Sequence, residues 1–86
     1  MRILKFSAAW CGPCKTLSRV IAISDLKGHT IEEIDVDTNC AMTKTYNVRA
    51  VPTLVAVDAD GAAVAFKQGA LTAQQLNTWI GNLNAQ

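Results

Sequence analysis

The sequence has little of what marks several large classes of protein. Aromatic residues make up only 6% of it, and no apolar run approaches the roughly 20 residues that a membrane-spanning helix needs. Its eight basic and seven acidic residues nearly balance, so no basic excess indicates an electrostatic grip on nucleic acid. The N-terminal stretch MRILKF lacks the long apolar region and cleavage site of a secretory signal. We therefore expect a cytoplasmic monomer that binds neither membrane nor nucleic acid.

Cysteine is also scarce, which argues against a disulfide scaffold of the kind found in small secreted domains. The chain has 86 residues, of which 50% are hydrophobic and 17% are charged. That composition is typical of one folded domain, which we predict over residues 1–86. Of the three cysteines, Cys11 and Cys14 form a CxxC pair and Cys40 stands apart. Inside a reducing compartment, such a pair indicates either a redox site or a metal site.

The spacing of apolar residues predicts strands and helices in the order βαβ-α-ββα. The predicted strands cover residues 2–8, 31–37, 53–57 and 63–67. The predicted helices cover residues 11–24 and 41–46, and a final segment that begins after a capping box formed by Thr72 and Gln75. A βαβ unit requires a right-handed parallel crossover, so helices should cover both faces of the sheet. We predict an α/β fold with a central four-stranded mixed sheet.

The CxxC pair lies where a predicted strand meets a predicted helix. A thiol attacks a disulfide only as a thiolate, and the free N–H groups and dipole at a helix N-terminus favour that charge. We expect Cys11 to be the more exposed thiol and to attack first. Cys14, one turn later, should then resolve the mixed disulfide. Gly12 leaves room for a substrate backbone, and Pro13 stiffens the loop.

Two metal-binding interpretations compete with the redox one. A zinc site could be assembled from Cys11, Cys14, His29 and Cys40, although zinc knuckles do not usually open a helix after a buried strand. A ferredoxin-like carrier domain could bind a soft ion through CxxC. That fold runs βαββαβ and ends on a strand, whereas this chain ends on an amphipathic helix. The sequence therefore favours redox chemistry without a metal.

The run FSAAWCGPCK at residues 6–15 resembles the active-site segment of thioredoxins. Further segments resemble the same family in the same order: YNVRAVPT at residues 46–53, the turn Asp60-Gly61, and the glycine loop at residues 69–71. The resemblance covers nearly all of the chain and lacks only the N-terminal strand and helix of longer thioredoxins. It implies a thioredoxin-like fold.

The resemblance also implies a function and its partners. The chain would be a general protein-disulfide reductase and electron donor, with the Cys11–Cys14 disulfide as its redox group and no other cofactor. A thioredoxin-reductase-type enzyme would reduce its disulfide again after each cycle, and its substrates would be disulfide-containing proteins. The Val51–Pro52 peptide would be cis, the alternative being a trans proline that starts a strand. The implied docking surface consists of Trp10, Gly12, Pro13, Ala50, Val51, Pro52, Gly69 and Ala70.

Two other functions remain open. The short chain suits a glutaredoxin-like reductase that uses glutathione, but glutaredoxins usually have Pro-Tyr where this chain has Gly12-Pro13. A non-catalytic subunit could use the same surface to hold a partner, and it would not need both cysteines. Reduction of insulin disulfides, compared between reductase and glutathione as electron donors, separates these functions.

The sequence departs from the thioredoxin pattern beside the cysteines. The family's buried aspartate is replaced by Lys5, and a lysine often found near it is replaced by Glu33. We predict that the two meet beneath Cys14, with Glu33 as the candidate base for the resolving thiol and Lys5 favouring thiolate. The alternative is that Lys5 extends to solvent while Glu33 sits at a strand edge. A family tryptophan is replaced by Ser7, which should open the wall beside the site.

Overall fold

The structure of the protein is a computed structural model that describes residues 1–84. Residues 85 and 86, the end of the predicted domain, lie outside the described residues. The helices and strands follow in the predicted order. They are β1 (Arg2–Ser7), α1 (Gly12–Ala22), β2 (Thr30–Asp35), α2 (Cys40–Thr45), β3 (Thr53–Val57), β4 (Ala63–Gln68) and α3 (Ala73–Asn84). None of the described helices is long and apolar enough to cross a membrane.

The four strands form one mixed sheet in the order β2-β1-β3-β4. Strands β1 and β2 are parallel, as the βαβ opening requires, and the β1–β3 and β3–β4 pairs are antiparallel. The register places Lys5 opposite Glu33 and Ser7 opposite Asp35. Partners in register point to the same face of a sheet, so these four side chains share one face. The predicted fold class is confirmed.

Each face of the sheet has its own apolar cluster. Ile3 and Leu54 face α1 and α3, where Leu17 and Leu76 meet them. Leu4, Phe6 and Val55 face the short helix α2, from which Met42 packs against them, and Tyr46 follows it. A fully buried side chain of this size contributes about 1.5–3 kcal/mol. Lys5 lies on the α1 face, so it is a charged group at the edge of an apolar layer.

Several predicted ends differ from the observed ones because the chain turns earlier than its apolar pattern suggests. Strand β1 ends at Ser7, since Ala8 O already accepts a turn hydrogen bond from Cys11 N at 3.1 Å. Helix α1 begins at Gly12, with Cys11 as its N-cap, and ends at Ala22. Strand β2 ends at Asp35.

The last helix begins as predicted. Thr72 N donates to Gln75 Oε1 at 2.9 Å, and Gln75 N donates to Thr72 Oγ1 at 3.1 Å, which completes the capping box. The β3–β4 connection is longer than a two-residue turn, because Asp58 Oδ1 accepts from both Asp60 N and Ala62 N.

Candidate active site

Cys11 and Cys14 are joined by a disulfide at the start of α1. Cys11 is the N-cap of the helix, and its sulfur accepts a hydrogen bond from Cys14 N at 3.1 Å. Pro13 lies in the first turn, where a missing N–H removes no helical bond. The sulfur of Cys11 therefore lies among the free N–H groups of the helix N-terminus, which favour a thiolate there once the disulfide is reduced.

Exposure does not separate the two cysteines as predicted. Cys11 is 4% exposed and Cys14 is 3% exposed, and Val36 and Val51 pack against the cluster that the two cysteines form with Ala8. What distinguishes Cys11 is its position at the cap, next to the 70% exposed Trp10. In the disulfide form the exposed fractions of the two cysteines are nearly equal, so the greater exposure of the Cys11 thiol stays a prediction, and the structure distinguishes the two residues by helix position.

An open groove of about 320 Å³ begins at Trp10. We call it the docking groove, and it is lined by Trp10, Val36, Thr43, Val48, Arg49, Ala50 and Val51. The indole is held by a hydrogen bond from Trp10 Nε1 to Asp37 Oδ2 at 3.0 Å. The structure thus brings together Trp10, Ala50 and Val51 from the predicted docking surface. It adds four lining residues to them.

The remaining predicted docking residues surround the cysteines in different ways. The Val51–Pro52 peptide is cis, which confirms that prediction, but the Pro52 side chain is fully buried and offers no contact surface. Gly69, at φ +93°, donates its N–H to Pro52 O at 2.8 Å, a backbone angle that favours glycine. Gly12 has open space where a Cβ would lie, so the fold itself does not require glycine there. Ala70 and Pro13 are exposed.

A second opening, of about 340 Å³, lies on the α1 face of the sheet. We call it the polar cleft, and it is lined by Lys5, Ser7, Ala8, Ala9, Cys14, Lys15, Ser18, Glu33 and Asp35. Lys5 Nζ lies 3.3 Å from Glu33 Oε1. The predicted meeting of Lys5 and Glu33 beside Cys14 is confirmed, and the alternative in which Lys5 extends to solvent is wrong.

The two members of this ion pair differ sharply in environment. The Lys5 side chain is 4% exposed and that of Glu33 is 64% exposed. They differ because Lys5 lies on the central strand β1, whereas Glu33 lies on the edge strand β2. A hydrogen bond from Ser7 Oγ at 2.8 Å, opposed by partial desolvation and assisted by Lys5, lowers the pKa of Glu33 below 4.5. Glu33 is therefore ionised at neutral pH and is a weak base.

The sequence did not point to two residues of the polar cleft, Ser18 and Asp35, nor to the hydrogen bond made by a third, Ser7. Ser18 accepts a short hydrogen bond from Lys5 Nζ and donates to Cys14 O at 3.1 Å. Ser7 holds Glu33, as well as replacing a bulky residue. Asp35 is a second acid beside Cys14, so Glu33 is not alone in that role. Spacing could have found two of them: Ser18 follows Cys14 by one helical turn, and Asp35 alternates with Glu33 along the strand.

The structure separates the four residues of the zinc interpretation. His29 adjoins the first residue of β2, at the opposite end of β1 from Cys11. Its ring contacts the N-terminal amine at 3.0 Å and Asn84 Oδ1 at 2.6 Å. Cys40 is exposed and forms no disulfide. Within residues 1–84, no three His, Cys, Asp or Glu side chains cluster as metal ligands would.

The sheet order and the disulfide at the start of α1 define a class, the thiol–disulfide oxidoreductases of thioredoxin-like fold. Comparison with known proteins identifies the family within this class. The family model described as Thioredoxin matches residues 1–82. The chain belongs to the thioredoxin family.

Individual relatives agree with the family assignment. A thioredoxin of Haemophilus influenzae is 37% identical over 81 residues, which are 91% of this chain and 75% of the relative. A solved thioredoxin structure from Halobacterium salinarum superposes with a TM-score of 0.81 at 36% identity, over 94% of this chain and 72% of that one. A bifunctional thioredoxin reductase/thioredoxin of Mycobacterium leprae is 38% identical over 56 residues, 62% of this chain and 12% of the relative.

Proposed function

We propose that the chain is a general protein-disulfide reductase that donates electrons through the CGPC dithiol. The observation that carries this proposal is the Cys11–Cys14 disulfide at the N-terminus of α1, beside the open docking groove. In the reduced protein, the Cys11 thiolate attacks one sulfur of the substrate disulfide, and the other sulfur leaves as a thiolate. Cys14 then attacks the Cys11 sulfur, so that the substrate leaves as a dithiol and the protein disulfide forms again.

The charged residues of the polar cleft would assist the second half of this cycle. Cys14 must lose a proton before it attacks, and the cleft that contains Cys14 also contains the ionised carboxylate of Glu33. Glu33 is the candidate acceptor of this proton, and its exposed position allows exchange with water. Because its pKa is lowered, we expect the assistance to be modest.

The docking groove suits substrates that present an extended, partly apolar segment beside their disulfide. Val51, Ala50 and Trp10 offer an apolar surface next to the cysteines, and few flexible segments would be rejected by it. Arg49, at the same surface, would favour an acidic residue in the segment.

An enzyme of the thioredoxin-reductase type is the proposed electron donor. The name of the Mycobacterium leprae relative joins that activity to a thioredoxin in one polypeptide, which supports a similar partnership for this chain. We propose a monomeric, cytoplasmic protein with no cofactor besides its own dithiol. A reducing compartment is where such a dithiol is kept reduced.

Reduction of insulin disulfides tests the function. We expect turnover with NADPH and thioredoxin reductase, little turnover with glutathione and glutathione reductase, and none from Cys11→Ser with either donor. Turnover with glutathione alone would instead support the glutaredoxin-like function. A folded wild-type protein that reduces nothing with either donor would support the non-catalytic binding subunit.

A further inference from the structure

The amine of Lys5 is enclosed beneath α1 and is held from two sides. The residue is only 3% exposed. Its Nζ donates to Ser18 Oγ on α1 and to Glu33 Oε1 on β2, the latter at 3.3 Å. A buried ammonium without such partners would be strongly destabilising. The contacts on both sides therefore fix the position of the charge.

One of these contacts connects the amine to the resolving cysteine. The Ser18 hydroxyl donates its single proton to Cys14 O at 3.1 Å, which leaves its oxygen free to accept from Lys5. Lys5 is thus held one hydroxyl away from the backbone of Cys14. Lys5 and Cys14 both line the polar cleft, so the two residues face the same opening.

Other charges face the same cleft, and their environments decide which charge dominates at Cys14. Glu33 and Asp35 approach from β2 and Lys15 from α1. The Glu33 side chain is 64% exposed, against 4% for Lys5, and Lys15 is exposed as well. Asp35 is half-buried, and its Oδ1 accepts a hydrogen bond from Asp37 N at 2.9 Å. Water screens exposed charges much more than enclosed ones, so Lys5 is the charge of the cleft that water screens least.

We propose that Lys5, positioned by Ser18, raises the reduction potential of the Cys11–Cys14 couple and makes the dithiol a milder reductant. The inference rests on the proposed dithiol exchange. Two glutathione thiols pass two electrons and two protons to the protein disulfide, which gives the protein dithiol and glutathione disulfide. A cation beside Cys14 stabilises a thiolate in the reduced protein and has no charge to stabilise in the disulfide. It therefore shifts this equilibrium towards the reduced protein.

The mechanism predicts a characteristic dependence on pH. At low pH both thiols keep their protons, so the cation has no thiolate to stabilise and the equilibrium constant is unaffected. As pH rises through the thiol pKa values, the stabilisation of the thiolate by Lys5 raises the equilibrium constant. This increase then levels off. Each unit by which Lys5 lowers a thiol pKa corresponds to about a tenfold change in the equilibrium constant. A purely structural role of Lys5 would shift the constant equally at all pH values.

The test is the equilibrium constant with glutathione, measured by thiol trapping at about pH 5.5 and about pH 8, on either side of the average thiol pKa of about 6.8 in folded proteins. Lys5→Met keeps an unbranched side chain that is one heavy atom shorter, and it removes the charge. We expect its constant to fall roughly tenfold below wild type at the higher pH and to approach wild type at the lower one. Ser18→Ala should give a smaller shift in the same direction, because Lys5 loses the contact that holds it near Cys14. Lys67→Met, at an exposed position of β4, removes the same charge and should change nothing.

Equal constants for wild type and Lys5→Met at the higher pH would overturn the inference, as would an equal shift from Lys67→Met. A shift of the same size at both pH values would also contradict it. If Lys5→Met does not fold, the equilibrium constant of Ser18→Ala decides. An equilibrium constant equal to that of wild type would then overturn the inference. If wild type and Lys5→Met exchange with glutathione with the same equilibrium constant, the inference fails but the proposed function stands. If wild type exchanges with no disulfide, both the proposed function and the inference about Lys5 are wrong.

Discussion

The docking groove and the polar cleft flank the same disulfide but belong to opposite faces of the sheet. The groove reaches α2 through Thr43 and is lined largely by Val, Ala and Trp side chains. The cleft lies under α1 and is lined by two lysines, two acids and two serines, among other residues. Their volumes are similar, about 320 and 340 Å³. The two regions therefore differ in chemistry more than in size.

We infer from this difference that the docking groove recognises the substrate and that the polar cleft controls the ionisation of the thiols. An apolar groove binds by excluding water from flexible segments and has little effect on the ionisation of the thiols. An enclosed cation acts on ionisation and touches no substrate. Substitutions in the groove should change substrate affinity and leave the reduction potential alone, whereas substitutions at Lys5 should do the reverse.

The largest expected effect on the groove side comes from Trp10→Ala. The indole is 70% exposed and is held by Asp37, so it offers a pre-positioned apolar surface. Loss of an aromatic anchor typically costs at least about 1 kcal/mol of binding. We expect the KM for insulin to rise about five- to tenfold, with little change in kcat. An unchanged KM, or an altered equilibrium with glutathione, would contradict the assignment of substrate affinity to the groove and of reduction potential to the cleft.

On the cleft side, Glu33→Gln should slow resolution of the mixed disulfide by about two- to fivefold, since a proton acceptor is lost but water remains. Rapid-quench kinetics of the second step measures this effect. The matched variant Glu32→Gln changes an exposed acid of the same strand whose side chain is paired with Arg2 at 3.6 Å, and it should resolve at the wild-type rate. Equal rates for Glu33→Gln and wild type would remove Glu33 from the mechanism.

Acid should weaken the contribution of Glu33 to folding. Its pKa is lowered in the folded protein, first by Ser7 and then by Lys5, from an ordinary value of 4.5. The stabilisation is therefore present above that value and is lost as pH falls through the lower, folded pKa. Because Glu33 is largely exposed, the effect should be below about 1 kcal/mol. In urea unfolding, Glu33→Gln should be less stable than wild type at neutral pH, and the difference in unfolding free energy should narrow as pH falls below 4.5. A difference that does not narrow in acid would assign the loss to packing.

The smallest effect is expected from Cys40→Ser. Cys40 is exposed at the start of α2, and its sulfur has only a long contact, at 4.0 Å, with Val36 O. Two thiols complete the cycle, so insulin turnover should stay within about 20% of wild type. A large loss of turnover in the folded variant would show that a third thiol takes part, contrary to the account.

Sequence pattern predicted the whole order of elements because the helix and strand periods are strong and the capping box is local. The Lys5–Glu33 contact was also predictable, because both residues occupy matching positions on neighbouring parallel strands. Their unequal burial was not predictable, since it depends on how α1 covers β1 and leaves the edge strand β2 open. Ser18 was missed for a related reason. Its hydroxyl gains a role only when α1 packs with that side over Lys5.

The most direct test of the central claim is to trap the mixed disulfide. In Cys14→Ser/Cys40→Ser, the only thiol left is Cys11, so a protein substrate should remain attached to it. We expect a stable adduct with a disulfide-containing protein, mapped by mass spectrometry to Cys11 and released by dithiothreitol. The reverse variant, Cys11→Ser/Cys40→Ser, should trap almost nothing. Equal trapping through Cys14, or no adduct at Cys11, would contradict the assignment of Cys11 as the attacking thiol.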